Sequence, residues 1–517
     1  MTRFFNTAGP CVAADHYMLP PLSRLPDLRL FIERKQYFVI HAPRQTGKTT
    51  ALQALARGLA DEGRYAAAYV SAEVGGVYSG VSELGAAEAA LLGAWTIGSR
   101  TLSQALRPPP WPSAEPGQRI LAGLSAWAEH CPRPLVMLID EIDALRDDVL
   151  ISVLRQLRTG YSLRPDLFPW SIALVGLRDV RDYLVGEGEP RRQGTASPFN
   201  IKVRSLTLTN FTADDVAELY AQHHEQTGQA FEGAAVARAF QWSGGQPWLV
   251  NALAGEIIDH LRPDRAETIT ADDMDRAARI LIERQDTHLD SLAARLREPR
   301  IRAVLEPMLA GESMEALAED DRRFVLDLGL VRRVDGGGLQ VANPIYREVI
   351  VRMLASGPQD SLPELSPTWL DGEGQLDSEA LRDAFLAFWR QHGDALQASA
   401  PYHEVAAQLV LMAFLHRVVN GGGWIEREYA IGRGRIDLCL RLGNVTIAME
   451  LKVWRGKQRD PLASGLEQLD RYLDGLGLDT GWLVIFDQRE QAGLTAERTR
   501  WERVDSPKGR EITLVRA

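Results

Sequence analysis

The run YFVIHAPRQTGKTT, residues 37–50, constrains this chain more than any other part of its 517 residues. Tyr37 to His41 form a short, mostly apolar run, Ala42 to Gly47 a loop, and Lys48 onward a helix-compatible segment. Strand, loop and helix in that order make a cradle for phosphate. The loop's backbone N–H groups gather beside the positive end of the helix dipole. In that cradle Lys48 reaches toward β- and γ-phosphates and the Thr49 hydroxyl ligates Mg²⁺. Pro43, Arg44, Gln45, Thr46, Gly47 and Thr50 supply the rest of the phosphate-facing surface. The pattern G-x-x-x-x-G-K-[ST] is met except at its first glycine, where Ala42 stands.

A cradle of this kind needs a parallel sheet behind it, and the first 200 residues supply the pattern. Continuous apolar runs at Tyr37–His41, Ala66–Val70, Leu135–Asp140 and Ser171–Leu177 alternate with helix-period segments such as Thr49–Ala60 and Val149–Arg158. Unbroken apolar strands are those covered on both faces, so an α/β fold follows. The proline-rich stretch Arg107–Pro116 reads as loop. The run Leu135–Ile139 ends in two acids, Asp140 and Glu141. Asp140 suits the metal's ligand shell, beside Thr49. Glu141 suits the orienting or deprotonation of an attacking water.

In these two motifs the chain resembles AAA+/STAND ATPases, particularly the prokaryotic type related to origin-recognition ATPases. That resemblance implies ATP and Mg²⁺ as cofactors, a helical lid and a winged helix. It makes Arg178, after the apolar run Ser171–Leu177, a candidate γ-phosphate sensor. It matches Trp242-Ser243-Gly244-Gly245-Gln246-Pro247 to a lid motif whose proline, Pro247, packs on the nucleotide, the plain alternative being a helix break. Arg155 and Arg158 become candidates for reaching across a subunit boundary in a homo-oligomer, with solvated surface residues as the ordinary reading.

Residues 210–285 turn helical, with Thr212 and Asp215 marking a helix start. Residues 299–354 hold two helical stretches, a hairpin around DGGG and a helix opened by Asn343-Pro344. Residues 356–375, rich in proline, glycine and acids, read as a linker. The expected division is an ATPase domain over 1–208, a lid over 209–288, a winged helix over 289–355, the linker, and a last α/β domain over 376–517.

The net charge of −11 opposes non-specific coating of nucleic acid. From Leu376 onward, however, 19 basic residues face 20 acidic ones, which leaves room for a local basic groove. No apolar run is long enough to span a bilayer, the N-terminus lacks a signal-peptide core, and three scattered cysteines make no disulfide framework. A cytoplasmic location and no membrane partner are expected.

The last domain carries a second constellation. In Val445–Trp454, alternation puts Thr446, Ala448, Glu450, Lys452 and Trp454 on one face and an apolar row on the other. In the preceding strand Asp437, Cys439 and Arg441 oppose an apolar face of Ile436, Leu438, Leu440 and Leu442. Pairing as a hairpin brings Asp437, Glu450 and Lys452 to one side. Two such carboxylates repel unless a cation lies between them, and oxygen ligands suit Mg²⁺ or Mn²⁺. Asp437 with Glu450-Leu451-Lys452 resembles the core of the PD-(D/E)XK nuclease superfamily. The resemblance implies a restriction-endonuclease-like domain in which Asp437, Glu450 and the Leu451 carbonyl hold the metal and Lys452 assists the attacking water. It also implies roles for Glu404 as a third acid and for Gln468, with Tyr472 one turn on, as the helix glutamine. Arg433, Arg435, Arg455, Lys457 and Arg459 are placed to neutralise phosphates. The expectation is an ATP-binding and ATP-hydrolysing protein that controls a metal-dependent nuclease acting on DNA, in genome defence. Its alternative is a nucleotide switch whose nuclease-fold domain has lost cleavage and binds nucleic acid or protein.

Overall fold

The computed structural model describes the chain except Met1 and residues 178–201, 285–287, 290–291, 293–294, 297, 311–316, 335–337, 361–367, 373–374, 400–405, 420–423, 429–435, 457–458 and 490–494. The chain forms two compact units, the first from Met1–Arg284 with Arg323–Leu330 and the second from Gln285–Arg322 with Val331–Ala517. Among the described residues no helix is long and apolar enough to cross a membrane.

The first unit is built on five parallel strands, β1 (Tyr37–His41), β2 (Ala66–Ser71), β3 (Leu135–Asp140), β4 (Ser171–Gly176) and β5 (Lys202–Thr207), in the order β2-β3-β4-β1-β5. Helices α1 (Leu28–Glu33), α2 (Lys48–Asp61), α3 (Leu84–Gly98), α4 (Arg119–His130) and α5 (Asp147–Gly160) cover it. The strand period of two explains why the central strands read as solid apolar runs. Val39, Met137, Ile139 and Leu174 join Trp95 and Trp127 in one core. Phe38, Ile40, Val136, Leu138 and Val175 join Leu52 and Leu55 in the other. Each such side chain contributes about 1.5–3 kcal/mol on burial, so both faces are committed to packing and only strand ends are left for chemistry. The four strands expected from the sequence are present. The fifth, β5, has sequence KVRSLT and lies at the sheet edge, where Arg204 is exposed. Its basic residues broke the apolar signal.

The helices that follow are α6 (Ala213–Thr227), α7 (Gly233–Ser243), α8 (Pro247–Glu256) and, after a π-helical turn at Ile257–Leu261, α9 (Ala271–Arg284). Thr212 and Asp215 form the reciprocal capping box that their spacing suggests, with Asp215 N–H donating to Thr212 Oγ1 at 3.1 Å and Thr212 N–H to Asp215 Oδ2 at 2.8 Å.

In the second unit, α10 (Pro299–Ala310) and α11 (Glu319–Asp327, its end returning to the first unit) precede the antiparallel pair β6 (Val331–Arg333) and β7 (Leu339–Val341). Next comes α12 (Pro344–Asp360), capped by Asn343 Oδ1, which accepts from Tyr346 N–H at 2.8 Å. This helix continues into the first residues of the segment read as a linker. Helices α13 (Ser378–Ser399) and α14 (Ala406–Val419) lead to β8 (Trp424–Glu428), β9 (Ile436–Leu442) and β10 (Val445–Trp454). Then α15 (Leu462–Leu476), β11 (Gly481–Asp487), the short α16 (Thr495–Arg498), β12 (Arg500–Asp505) and β13 (Glu511–Arg516) complete a six-stranded sheet ordered β12-β13-β11-β10-β9-β8. Strand β10 is central. It is antiparallel to β9 and parallel to β11. Cys439, Ala448, Leu483 and Ile485 pack under Leu466, Leu469 and Leu473 of α15.

Candidate nucleotide site and carboxylate–lysine cluster

The phosphate loop closes the end of β1 as the sequence requires. Gly47 has a φ of +95° and caps α2, and Gln45 holds φ +57°, a left-handed value costly for a residue with a Cβ. Ala42 takes no left-handed φ, which explains why the loop tolerates alanine there. Lys48 is buried and its Nζ donates to the carbonyls of Ala42, at 2.8 Å, and Pro43, at 2.9 Å. Burial pushes its ammonium below its ordinary pKa, against the opposing pull of Glu141, Asp143 and Asp140.

Strand β3 brings Asp140 beside the start of α2. Thr49 Oγ1 donates to Asp140 Oδ2 at 2.7 Å, and the Tyr69 hydroxyl donates to the same oxygen at 3.1 Å. The other oxygen, Oδ1, accepts from Glu141 N–H at 3.0 Å. Glu141 itself has φ +55°, a strained conformation of the kind found at functional turns. Its carboxyl is raised above the ordinary range, first by burial and then by Asp143 and Asp140. Asp143 is a third acid at this end of the sheet that the motif reading passed over. Burial raises its pKa, and its Oδ1 is buried without a partner. Thr49 and Asp140 have the donor chemistry to hold a magnesium ion, with Glu141 adjacent as a carboxylate poised for a water.

The glycine-rich turn before α8 meets this loop. Gly244 and Gly245 have φ of +58° and +72°. A Cβ on Gly245 would lie 1.9 Å from the Phe211 carbonyl oxygen, so only glycine fits. Gln246 Oε1 caps α8 by accepting from Leu249 N–H at 2.7 Å, and its Nε2 lies 3.5 Å from the Gln45 carbonyl. Pro247 shares a cavity with Gln45, Thr46 and Gly47, so the proline expected near the nucleotide is beside the phosphate loop. The same cavity is walled by the N-terminal segment, which carries no motif or periodicity and was not read as part of a site. Cys11 N–H donates to Thr50 Oγ1 at 3.0 Å, which commits that hydroxyl to the protein. Arg24 donates to the Thr46 carbonyl at 3.0 Å and the Thr209 carbonyl at 2.7 Å, and burial lowers its pKa to about 10. Arg44 is exposed at the loop, and Arg155 and Arg158 are exposed on α5. Arg178 lies outside the described residues.

In the second unit, register does what the alternation anticipated. Glu450 on β10 pairs directly with Asp437 on β9, Ala448 with Cys439, and Thr446 with Arg441, so these residues share a face. Glu450 is 0% exposed, and Lys452 Nζ lies 2.7 Å from its Oε1. Lys452 also donates to Gln468 Oε1 from α15. The sequence-derived trio Glu450, Lys452 and Gln468 is therefore assembled. Tyr472, one turn beyond Gln468, is buried in the core under α15. Glu428 on β8 is the register partner of Asp437 on β9, a pairing that single-strand reading could not find because it needs cross-strand register. Glu404, Arg433, Arg435 and Lys457 lie outside the described residues. Arg459 is exposed. Arg455 is half-buried, donates to Gln488 Oε1 at 3.0 Å, and has a lowered pKa from burial.

No family model matches the chain and no curated protein matches it. Among solved structures it is similar to the Walker-type ATPase PABY2304 of Pyrococcus abyssi, at 14% identity over 67% of this chain and 99% of that one, with a TM-score of 0.45. It is also similar to the Thermotoga maritima RuvB Holliday junction branch migration motor, at 16% identity over 63% and 92% of the two chains and a TM-score of 0.34. A third likeness is to Drosophila ORC bound to DNA, at 14% identity over 74% and 95% and a TM-score of 0.33.

Proposed function

We propose that the first unit binds ATP with Mg²⁺ and hydrolyses it. One observation carries this reading: the 2.7 Å contact of Thr49 with Asp140, formed where α2 begins beside the buried Lys48. Helix N-terminus, ammonium, hydroxyl and carboxylate are the parts phosphoryl transfer needs. Lys48 exchanges the two carbonyls for phosphate oxygens. Thr49 and Asp140 hold the metal, which supplies charge neutralisation, and Glu141 orients the attacking water. The test is equilibrium binding of ATP to the full chain. Lys48→Ala is expected to weaken it by about 100-fold or more, and Glu141→Gln to keep binding while cutting turnover by at least about 100-fold. Binding unchanged by Lys48→Ala sinks the reading.

We further propose that the second unit is a metal-dependent nuclease acting on DNA under control of the nucleotide site. The support is the direct pairing of Glu450 with Asp437 and the approach of Lys452. Asp437 and Glu450 would hold Mg²⁺ or Mn²⁺, and Lys452 would help position the water. Glu404, Arg178 and a homo-oligomer built across Arg155 and Arg158 stay within this proposal, as do the division into lid, winged helix and nuclease domains and a cytoplasmic role in genome defence. A second reading is favoured by a specific observation. Glu450 is fully buried with the Lys452 ammonium 2.7 Å away, and Lys452 is shared with Gln468, so a cation already stands beside this carboxylate. A nucleotide switch with a non-cutting domain fits that. Cleavage of plasmid and linear DNA with ATP and a Mg²⁺ or Mn²⁺ titration separates the two. Cleavage abolished by Asp437→Ala supports the nuclease, and no cleavage under any of these conditions supports the switch.

A further inference from the structure

Among the described residues, the Asp140 carboxylate accepts three hydrogen bonds, and they differ in kind. Its Oδ1 accepts from Glu141 N–H at 3.0 Å, a backbone contact. Its Oδ2 accepts from two hydroxyls, Thr49 at 2.7 Å and Tyr69 at 3.1 Å. A hydroxyl has one proton and two lone pairs. Thr49 can give its proton to Asp140 and its lone pairs to a metal, but it cannot then also be the anchor that holds Asp140 still. Tyr69 is an anchor independent of the phosphate loop. It stands on β2, the edge strand, in register with Leu138 of β3. Leu138 is two residues short of Asp140, about 7 Å along the strand, a gap that a phenol spans and a shorter side chain does not. Positions two apart share a face, and the Tyr69 ring packs against the core that holds Leu138 with Leu52 and Leu55 of α2. Ser71, the direct register partner of Asp140, does not supply the bond; its Oγ accepts from Glu73 N–H at 3.1 Å. Glu141 and Asp143 crowd the same end of the sheet with negative charge. A neutral donor holds Asp140 there without cancelling the charge that a cation needs, as an arginine or lysine would.

We propose that Tyr69 is a positioning residue for the metal half of the nucleotide site, its hydroxyl holding Asp140 so that the carboxylate and the Thr49 lone pairs stay set for Mg²⁺. This role rests on the nucleotide reading of the first unit and adds to it a residue that touches neither nucleotide nor metal. Without the hydroxyl, Asp140 Oδ2 is held by Thr49 alone. Metal affinity then falls, while the contacts that Lys48 and the loop backbone make to phosphate do not change. Removing a partner of this kind from behind a metal ligand costs about 10- to 100-fold in metal affinity. The Tyr69 bond is longer than that of Thr49, which sets the expectation at the lower end.

Two binding measurements on the full chain test it, with ADP as the nucleotide and Mn²⁺ standing in for Mg²⁺. The first is ADP affinity in EDTA. The second is a Mn²⁺ titration followed by loss of the free-ion EPR signal, counting only the Mn²⁺ that binds when ADP is present. Tyr69→Phe removes the hydroxyl and keeps the ring in the core. It is expected to need about 10-fold more Mn²⁺ for half-saturation, with ADP affinity in EDTA within about 2-fold of wild type. In an Asp140→Asn background, Tyr69→Phe is expected to add less than about 2-fold to the Mn²⁺ requirement, because the hydroxyl acts only through that carboxylate. A wild-type Mn²⁺ requirement in Tyr69→Phe overturns the proposal. So does an equal loss of ADP affinity in EDTA, which would make Tyr69 a residue of the fold alone, and so does a full 10-fold effect in the Asp140→Asn background. If the wild type binds no ADP in either condition, the phosphate-loop reading falls and the role of Tyr69 with it.

Discussion

Lys48 and Lys452 are both largely buried ammonium groups placed beside carboxylates, and the two units solve that problem in opposite ways. Lys48 is held by two neutral carbonyls at the mouth of a helix N-terminus, with Asp140, Glu141 and Asp143 acting on it at longer range. Lys452 sits in direct ion contact with Glu450 at 2.7 Å, its side chain only 12% exposed and that of Glu450 at 0%. The first arrangement leaves a cation under-compensated and ready to exchange carbonyls for an anionic ligand. The second compensates its cation within the fold. A buried charge held weakly is a binding device, and one held strongly is a structural commitment unless a metal or substrate offers something better.

The largest expected effect breaks the second arrangement. Glu450→Ala strands the Lys452 ammonium and Lys452→Ala strands the Glu450 carboxylate, so each is expected to destabilise the second unit by about 3–5 kcal/mol. The double substitution Glu450→Met with Lys452→Met is expected to recover to within about 1 kcal/mol of wild type, because it removes both charges and keeps the volume. Urea denaturation followed by hydrogen exchange on peptides of β10 and α15 measures both. Single variants that lose less than about 1 kcal/mol would mean that water reaches the pair and that the contrast with Lys48 is unreal.

The join between the phosphate loop and the helices after it comes next in size. Gly245→Ala drives a Cβ toward the Phe211 carbonyl at 1.9 Å and fixes an alanine at φ +72°, so a loss of about 2–4 kcal/mol is expected. Nucleotide affinity should fall with it, since Gln246 and Pro247 follow on the same turn beside the phosphate loop. A Gly245→Ala chain with wild-type stability and ADP affinity would separate the turn from the site.

Lys48→Ala sharpens the comparison from the other side. Its partners are carbonyls that regain water or helix contacts when the ammonium is gone, and burial already opposes its charge. Its stability is therefore expected to stay within about 1 kcal/mol of wild type in the absence of nucleotide, while ATP binding is lost. The same substitution type at Lys48 and Lys452 would thus affect binding in one unit and folding in the other.

The two sites were also legible to different degrees. The candidate nucleotide site is written in two short contiguous motifs, so Lys48, Thr49, Asp140 and Glu141 could be singled out from spacing alone. Hairpin alternation was enough to put Glu450 and Lys452 on one face and to set Asp437 opposite, because β-strand geometry has a period of two and the apolar row fixed which face was which. What stayed hidden depends on contacts between distant segments. The N-terminal segment that walls the cavity beside the phosphate loop has no periodic signal. Strand β5 was masked by Lys202 and Arg204, which suit a sheet edge but interrupt an apolar run. Glu428 emerges only from the register of β8 against β9.

The smallest effect concerns Glu141 and tests whether the nucleotide end of the sheet really holds its charges under strain. Burial, with Asp143 and Asp140 nearby, raises the folded-state pKa of Glu141 above its ordinary value of 4.5. A carboxyl whose pKa is raised on folding favours the protonated form in the folded state, so its ionisation lowers stability as pH rises through that interval. At pH 7, above the carboxylate range, this penalty is present in the wild type. Below pH 4.5, where folded and unfolded chains both hold the proton, it is absent. Glu141→Gln removes the titration, so the nucleotide-free variant is expected to melt slightly above wild type at neutral pH, by about a degree or two, because solvent screens this half-buried carboxyl. That gain should shrink to nothing as the pH falls toward 4, measured by paired thermal melts. A gain of the same size at both pH values would assign it to helix or turn propensity instead. No gain at pH 7 would mean that the carboxylate is as well solvated as one on the surface, and that its position beside Asp140 is not held under electrostatic strain.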